Sequence, residues 1–208
     1  MQPKVVYIPC KIVFICVISA LSLSAQTNSP TPDSPGYTAM TRKERLTWFA
    51  KGTVGPQSLA SGLFMAAIGT ASNSPREYGP HWDGYGKRYG IRLSGVSTSN
   101  AIEAGLGELW GEDPKYYPTT GQDIKGRIGN VMKTTFTAPR PDGHYAPAYA
   151  RLIAIPGSNF LSNTWRADSE ADAQHAALRT LYGFLGHMGG NAFQEFWPDV
   201  QKRIFRKK

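Results

Sequence analysis

The chain has 208 residues, with 23 lysines and arginines against 15 aspartates and glutamates, and a formal net charge of +8. Its two cysteines, Cys10 and Cys16, both lie near the N-terminus. Once an N-terminal segment containing them is removed, the remaining chain has no disulfide, no thiolate metal site and no cysteine nucleophile.

The N-terminus has the pattern of a cleavable secretory signal. Lys4 and Lys11 give it positive charge, residues 12–23 form an uncharged apolar run, and Ala25 is a small residue at the expected cleavage point. The run is shorter than the roughly 20 apolar residues of a membrane-spanning helix, although a membrane anchor is the alternative interpretation. We therefore expect residues 1–25 to be a signal peptide. A mature chain without disulfides then suits the periplasm or outer envelope of a bacterium.

A linker and two helices are predicted next. Residues 26–40 are rich in serine, threonine and proline, which indicates a disordered linker. Thr41 is a suitable N-cap and Glu44 completes a capping box, so a short amphipathic helix should run to about Lys51. Residues 58–71 have helical spacing and no charge, which predicts a helix that is buried or associated with a membrane.

The rest of the chain also has helical spacing, and period-two alternation is nearly absent. The predicted helices are 79–110 with a second piece at 100–110, 124–136, 148–165 kinked or split at Pro156, and 170–193 with Ser169 as N-cap, followed by a C-terminal helix from Pro198 with Val200, Ile204 and Phe205 turned inward. The pattern predicts an all-α, glycine-rich bundle of about six or seven short helices. It forms a single domain over residues 41–208.

Glycine and basic residues suggest surfaces that contact a partner. Gly183, Gly186 and Gly190 share one helix face, although a glycine inside a helix costs about 1 kcal/mol relative to alanine. Such a face suits close packing within a soluble bundle or helix packing in a membrane. The basic residues of segment 202–208 suit a solvated helix end or contact with anionic lipid. We expect no nucleic-acid partner for an exported protein.

Motifs that carry chemistry are sparse. The four histidines are scattered, and neither a serine-hydrolase elbow nor a phosphate-binding loop occurs, so no metal or cofactor is expected. The weak candidates for acid–base catalysis are the adjacent carboxylates Glu112 and Asp113, and the pair of His187 with Glu195. The structural alternatives are carboxylates that cap a helix or meet an arginine, and a hydrogen-bonded core histidine.

Three segments occur together in one order: YGPHWDGYGKRYG at 78–90, EDPKY at 112–116 and EFWPD at 195–199. With these segments the chain resembles an uncharacterised family of exported proteins from acidobacteria and similar soil bacteria. The resemblance implies location in the envelope and no particular activity, cofactor or catalytic residue.

Together these observations favour a non-enzymatic helical envelope protein that packs against a membrane or a protein partner. The alternative is an envelope hydrolase with an acid–base site near Glu112 and Asp113, or near His187 and Glu195. A cleft that gathers these groups favours the hydrolase, whereas carboxylates that are individually paired remove its basis.

Overall fold

A computed structural model describes residues 37–119 and 123–205. The predicted signal peptide and most of the predicted linker lie outside these residues. The described chain forms six α-helices: α1 (Arg42–Val54), α2 (Pro56–Ala71), α3 (Trp82–Trp110), α4 (Ile124–Phe136), α5 (Tyr149–Leu161) and α6 (Ala173–Phe205). Short 3-10 helices lie at Arg76–Tyr78, Ser162–Thr164 and Asp168–Glu170. The prediction of an all-α protein is confirmed.

One short hairpin interrupts the helices, in the segment between the helices predicted at 124–136 and 148–165. Strand β1 (Thr137–Pro139) pairs antiparallel with β2 (Tyr145–Pro147), and Ala138 lies opposite Ala146. Gly143 in the turn has a φ of 84°, a left-handed conformation that glycine adopts without a steric cost. The hairpin directly joins the end of α4 to the start of α5.

The helix starts follow local signals. The predicted capping box of α1 is present, because the Thr41 hydroxyl accepts from the Glu44 N–H and the Glu44 carboxylate accepts from the Thr41 N–H. Helix α2 begins with Pro56 at its first position, where the missing N–H has no intrahelical partner in any case. Helix α6 begins later than predicted, because Asp172 rather than Ser169 accepts from a first-turn N–H.

Two predicted helix breaks are wrong, and of the kink or split predicted at Pro156 the split is absent. Helix α3 continues for 29 residues without a second start, and α6 continues for 33 residues through Pro198. Helix α5 contains Pro156 without splitting. A proline removes one backbone hydrogen bond, but tertiary contacts hold the helix on both sides. Glu195 and Asp199, which flank Pro198 in α6, both pair with Arg127 of α4.

The helices pack around α3, which contacts α1, α2 and α5, while α6 contacts α4 and α5. The interior between them is mainly small or polar. Its buried apolar residues are Ala66, Tyr78, Val131, Ala138, Ala148, Ala150, Ala154, Ile155 and Ala176. Its buried ionisable residues are Arg45, Arg88, Arg151, Glu103, Glu112, Asp113 and Glu195.

Large apolar side chains lie mainly on the outside of the described helices. Exposed examples occur on every helix: Leu46 and Val54, Leu63 to Met65 and Ile68, Trp82, Leu109 and Trp110, Ile124, Ile128, Met132 and Phe136, Tyr149, Ile153, Phe160 and Leu161, and Leu178, Leu181, Tyr182 and Leu185. The prediction that Val200 and Ile204 turn inward is wrong, because they are 42% and 54% exposed. The side chain of Phe205 is outside the description.

The predicted glycine face of α6 is divided. A Cβ on Gly183 would lie 2.7 Å from Cγ2 of Ile155, so this glycine lets α5 approach closely. Gly186 and Gly190 have open space where a Cβ would lie. Among the described residues, no helix has both the length and the apolar character that crossing a membrane requires.

Candidate functional site

The candidate carboxylates belong to one extended segment and to helix α6. Gly111 ends α3 in a left-handed conformation with φ of 69°, and the chain then runs without helix or strand through residues 112–119. We call residues 112–119 the strap. Its first three residues, Glu112, Asp113 and Pro114, are buried.

Glu112 caps helix α5 from a distance. Its two carboxylate oxygens accept from the N–H groups of Tyr149 and Ala150, at 3.1 and 3.0 Å. Arg140 lies 3.1 Å from the same carboxylate. Since Ala148 precedes α5 and has no capping side chain, Glu112 supplies the acceptor that the first turn of α5 lacks. This arrangement matches the capping alternative.

Asp113 organises two tyrosines around the strap. Its Oδ2 accepts from the hydroxyls of Tyr117 and Tyr37, at 2.7 and 3.1 Å, and its Oδ1 accepts from the Lys115 N–H. Burial raises the pKa of both tyrosines, and the Asp113 charge raises it further, so both hydroxyls remain donors. Both tyrosine hydroxyls and the Lys115 N–H donate to the Asp113 carboxylate. Asp113 therefore acts as a hydrogen-bond acceptor within the fold.

Glu195 is the most enclosed of the candidates, with 1% of its surface exposed. Its carboxylate accepts from Arg127 Nε at 2.8 Å, from the Tyr116 hydroxyl at 2.5 Å and from the Thr119 N–H at 3.0 Å. Burial raises the pKa of Tyr116, and Glu195 adds to the shift. Arg127 also donates to Asp199 at 2.5 Å. Glu195 therefore ties the strap and α4 to α6.

His187 is not part of this network. It lies eight residues before Glu195 in the same helix, which separates the two along the axis by about 12 Å. The two described side chains form no hydrogen bond with each other. Burial, with Arg151 nearby, lowers the pKa of His187 to about 3, so the imidazole is neutral at ordinary pH. Glu112 and Asp113 are adjacent in the strap but their carboxylates bond different partners, Glu195 is linked to the same strap, and His187 lies apart.

Sequence reasoning missed the buried pair of Glu103 and Arg151. Arg151 Nε donates to Glu103 at 2.9 Å, and its Nη1 donates to the carbonyls of Thr134 and Thr135. Burial raises the pKa of Glu103, while Arg151 opposes that shift. Glu103 and Arg151 are each a single charge within a helix segment of otherwise apolar or small residues. This pattern was the available signal, because a buried charge needs a partner.

The surface pocket found among the described residues does not contain the candidate groups. A surface pocket is lined by Trp110, Arg140, Tyr149 and Ile153, and none of the four candidate residues lines it. No group of three or more potential metal ligands occurs among residues 37–119 and 123–205. Chemically, the arrangement holds buried carboxylates in place with donors from other helices, which stabilises a polar interior.

Comparison of the chain with protein-family models, with curated proteins and with solved structures gives no match. The fold and the site define an all-α protein in which seven charged side chains are buried and large apolar side chains are exposed on all six described helices.

Proposed function

We propose that this protein is a non-enzymatic helical protein of the cell envelope, which packs its exposed apolar helix faces against membrane lipid. The observation that carries this proposal is that large apolar side chains are exposed on all six described helices, while seven charged side chains are buried between the helices. A soluble monomer normally buries leucine, isoleucine, phenylalanine and methionine and exposes its charges.

The exposed large apolar side chains have a large free-energy cost in water. Complete burial of one large apolar side chain is worth about 1.5–3 kcal/mol relative to full exposure. The exposed side chains of α2 alone include Leu63, Phe64, Met65 and Ile68, each about half exposed. Contact with an apolar phase would remove these side chains from water and so stabilise the protein.

The interior has the features of a helical bundle surrounded by apolar material. In such bundles, small residues line the helix contacts, and ionisable groups face inward toward one another or toward backbone carbonyls. Arg88 follows this pattern, since it donates to the carbonyls of Ser74, Pro75 and Gly79. Arg151 donates to Glu103 and to carbonyl groups in the same way.

Lipid accounts for the distribution better than a protein partner does. A standard protein interface covers one patch of about 20–30 residues on each side. Exposed large apolar residues lie on all six described helices, from Leu46 of α1 to Ile204 of α6. A lipid phase contacts several helix faces at once, whereas one protein interface covers only part of them.

The hydrolase alternative gains no support from the site. Glu112, Asp113 and Glu195 each accept hydrogen bonds from donors in the fold, and none of them lines the surface pocket described above. The segments that carry the family resemblance contain these same residues. Tyr116 and Glu195, from two of those segments, bond each other, so a structural need explains why such residues occur together.

Cell fractionation and vesicle flotation test the proposal. The full chain is expressed in a bacterial host, and the processed protein is followed through soluble and membrane fractions. We expect it in the membrane fraction, and we expect the purified protein to float with phospholipid vesicles. Recovery as a soluble monomer with no affinity for vesicles of any composition would contradict the proposal.

A further inference from the structure

Helices α4 and α6 lie side by side and run in opposite directions. Near one end of the pair, Arg127 of α4 donates to Asp199 of α6, and near the other end the rings of Phe136 and Phe184 stack at 5.7 Å. The N-terminus of α4 therefore lies beside the C-terminal part of α6.

Both helices have an exposed apolar stripe. On α4, Ile124, Ile128, Met132 and Phe136 recur every four residues, and each is at least 44% exposed. A four-residue interval keeps side chains on one face of a helix. On α6 the corresponding residues are Leu178, Leu181, Tyr182 and Leu185, followed by Val200 and Ile204 near the C-terminus. We call these two stripes together the α4–α6 face.

Exposed cations outnumber exposed carboxylates at the shared end of the two helices. Lys125, Lys202 and Arg203 are exposed there and form no salt bridge with a described residue. The exposed carboxylates at this end are Asp123 and Asp199, and Asp199 shares Arg127 with the buried Glu195. The sequence adds three more cations at 206–208.

The carboxylates at the opposite end of α6 are mostly paired. Asp172 pairs with His175 and Glu170 pairs with Arg166, while Asp168 is exposed. The excess of exposed cations therefore lies at the shared end of α4 and α6. An apolar surface edged with lysine and arginine is typical of segments that rest in the boundary between anionic headgroups and acyl chains.

We propose that the basic end of the α4–α6 face binds anionic phospholipid headgroups while the adjoining apolar stripes contact acyl chains. This inference rests on the proposed membrane function and adds the lipid class and the contact surface. Anionic lipid is complementary to Lys125, Lys202 and Arg203, whereas a zwitterionic surface gives these cations no net attraction.

The test measures partitioning of the full processed chain onto phosphatidylcholine vesicles with and without phosphatidylglycerol. The triple variant Lys125→Gln, Lys202→Gln and Arg203→Gln removes the proposed contact. Each cation near an anionic surface is worth about fivefold in partitioning at low salt, so the three together are worth about a hundredfold. Binding to phosphatidylcholine alone should change little.

The matched control is the triple variant Lys43→Gln, Lys51→Gln and Lys87→Gln, which removes the same charge from exposed positions on α1 and α3. We expect it to keep most of the preference for phosphatidylglycerol. Circular dichroism of both variants checks that the fold is intact, since all six side chains are exposed.

The outcomes separate the two proposals. Equal loss in the two triple variants, or equal binding to both vesicle types, overturns the anionic-lipid inference and leaves membrane association standing. Absence of binding to either vesicle type, or self-association of the chain without vesicle affinity, overturns both. Selective loss in the first variant, weakened further by added salt, supports the inference.

Discussion

Arg151→Met tests whether the polar interior is held together by paired charge. Arg151 and Glu103 are 2% and 5% exposed, so the carboxylate cannot turn to water when its partner is removed. Breaking a buried pair by removing one partner typically costs about 3–5 kcal/mol, because the other charge stays buried. The substitution also removes the donor to the carbonyls of Thr134 and Thr135. The expected loss is a large part of the roughly 5–15 kcal/mol that stabilises most domains.

The loss should depend on pH in a defined direction. Burial already raises the pKa of Glu103 above its ordinary value of 4.5, and Arg151 limits that rise. Without Arg151 the pKa rises further, so folding favours the protonated carboxyl more strongly. A carboxyl whose pKa is raised in the folded state destabilises the fold as pH increases above its unfolded value. Arg151→Met should therefore cost less near pH 4.5 than at neutral pH.

Urea unfolding followed by circular dichroism measures both effects. Adding Glu103→Gln to Arg151→Met should restore part of the stability at neutral pH, because it removes the unpaired charge. Arg42→Met is the control, since Arg42 also pairs with a glutamate, Glu108 at 2.6 Å, but is 88% exposed. Its expected cost is below about 1 kcal/mol. A loss for Arg151→Met as small as the control's, or one independent of pH, would refute the reasoning.

Four further substitutions test local packing and capping. Gly183→Ala should cost about 1–3 kcal/mol of stability, because its Cβ would meet Cγ2 of Ile155 at 2.7 Å. Gly186→Ala has open space for its Cβ and should stabilise the helix by up to about 1 kcal/mol. Equal effects of the two substitutions in thermal melts would contradict this packing. Thr41→Ala should cost about 1 kcal/mol in urea unfolding, and no loss would mean that the cap is unimportant. The N–H of Thr41 donates to Glu44 and lowers its pKa to about 2, so the stabilising effect of Glu44 is present above pH 4.5 and is lost as pH falls toward 2. Glu44→Gln should therefore lower the melting temperature at neutral pH and not near pH 2; an equal change at both would contradict the assignment.

Elements with strong local signals were predictable from sequence. The capping box at Thr41 located the start of α1, and the bounds predicted for α4, residues 124–136, agree with the structure. Helix continuity was harder to predict. Pro198 was expected to begin a new helix, yet α6 passes through it, because Arg127 pairs with residues on both sides of the proline. A local signal does not include such tertiary contacts.

The orientation of the helices was the larger gap. Period 3.6 identifies an apolar side of a helix, but it does not say whether that side faces the interior. Val131 of α4 turns inward, while Ile128 and Phe136 turn outward. The carboxylates of the strap were recognised as a pair, and their capping role was an open alternative. The partner of Glu103 was not predictable, because Arg151 lies 48 residues away on another helix.

The strap has a consequence for the order in which the protein folds. Asp113 bonds Tyr37, which is 76 residues earlier, and Tyr116 bonds Glu195, which is 79 residues later. Contacts between distant parts of a chain are slow to form, because the intervening loop must close first. Glu195 lies on the last described helix, so Tyr116 and Arg127 find this partner only after that helix has been synthesised. The strap therefore becomes fixed late in folding.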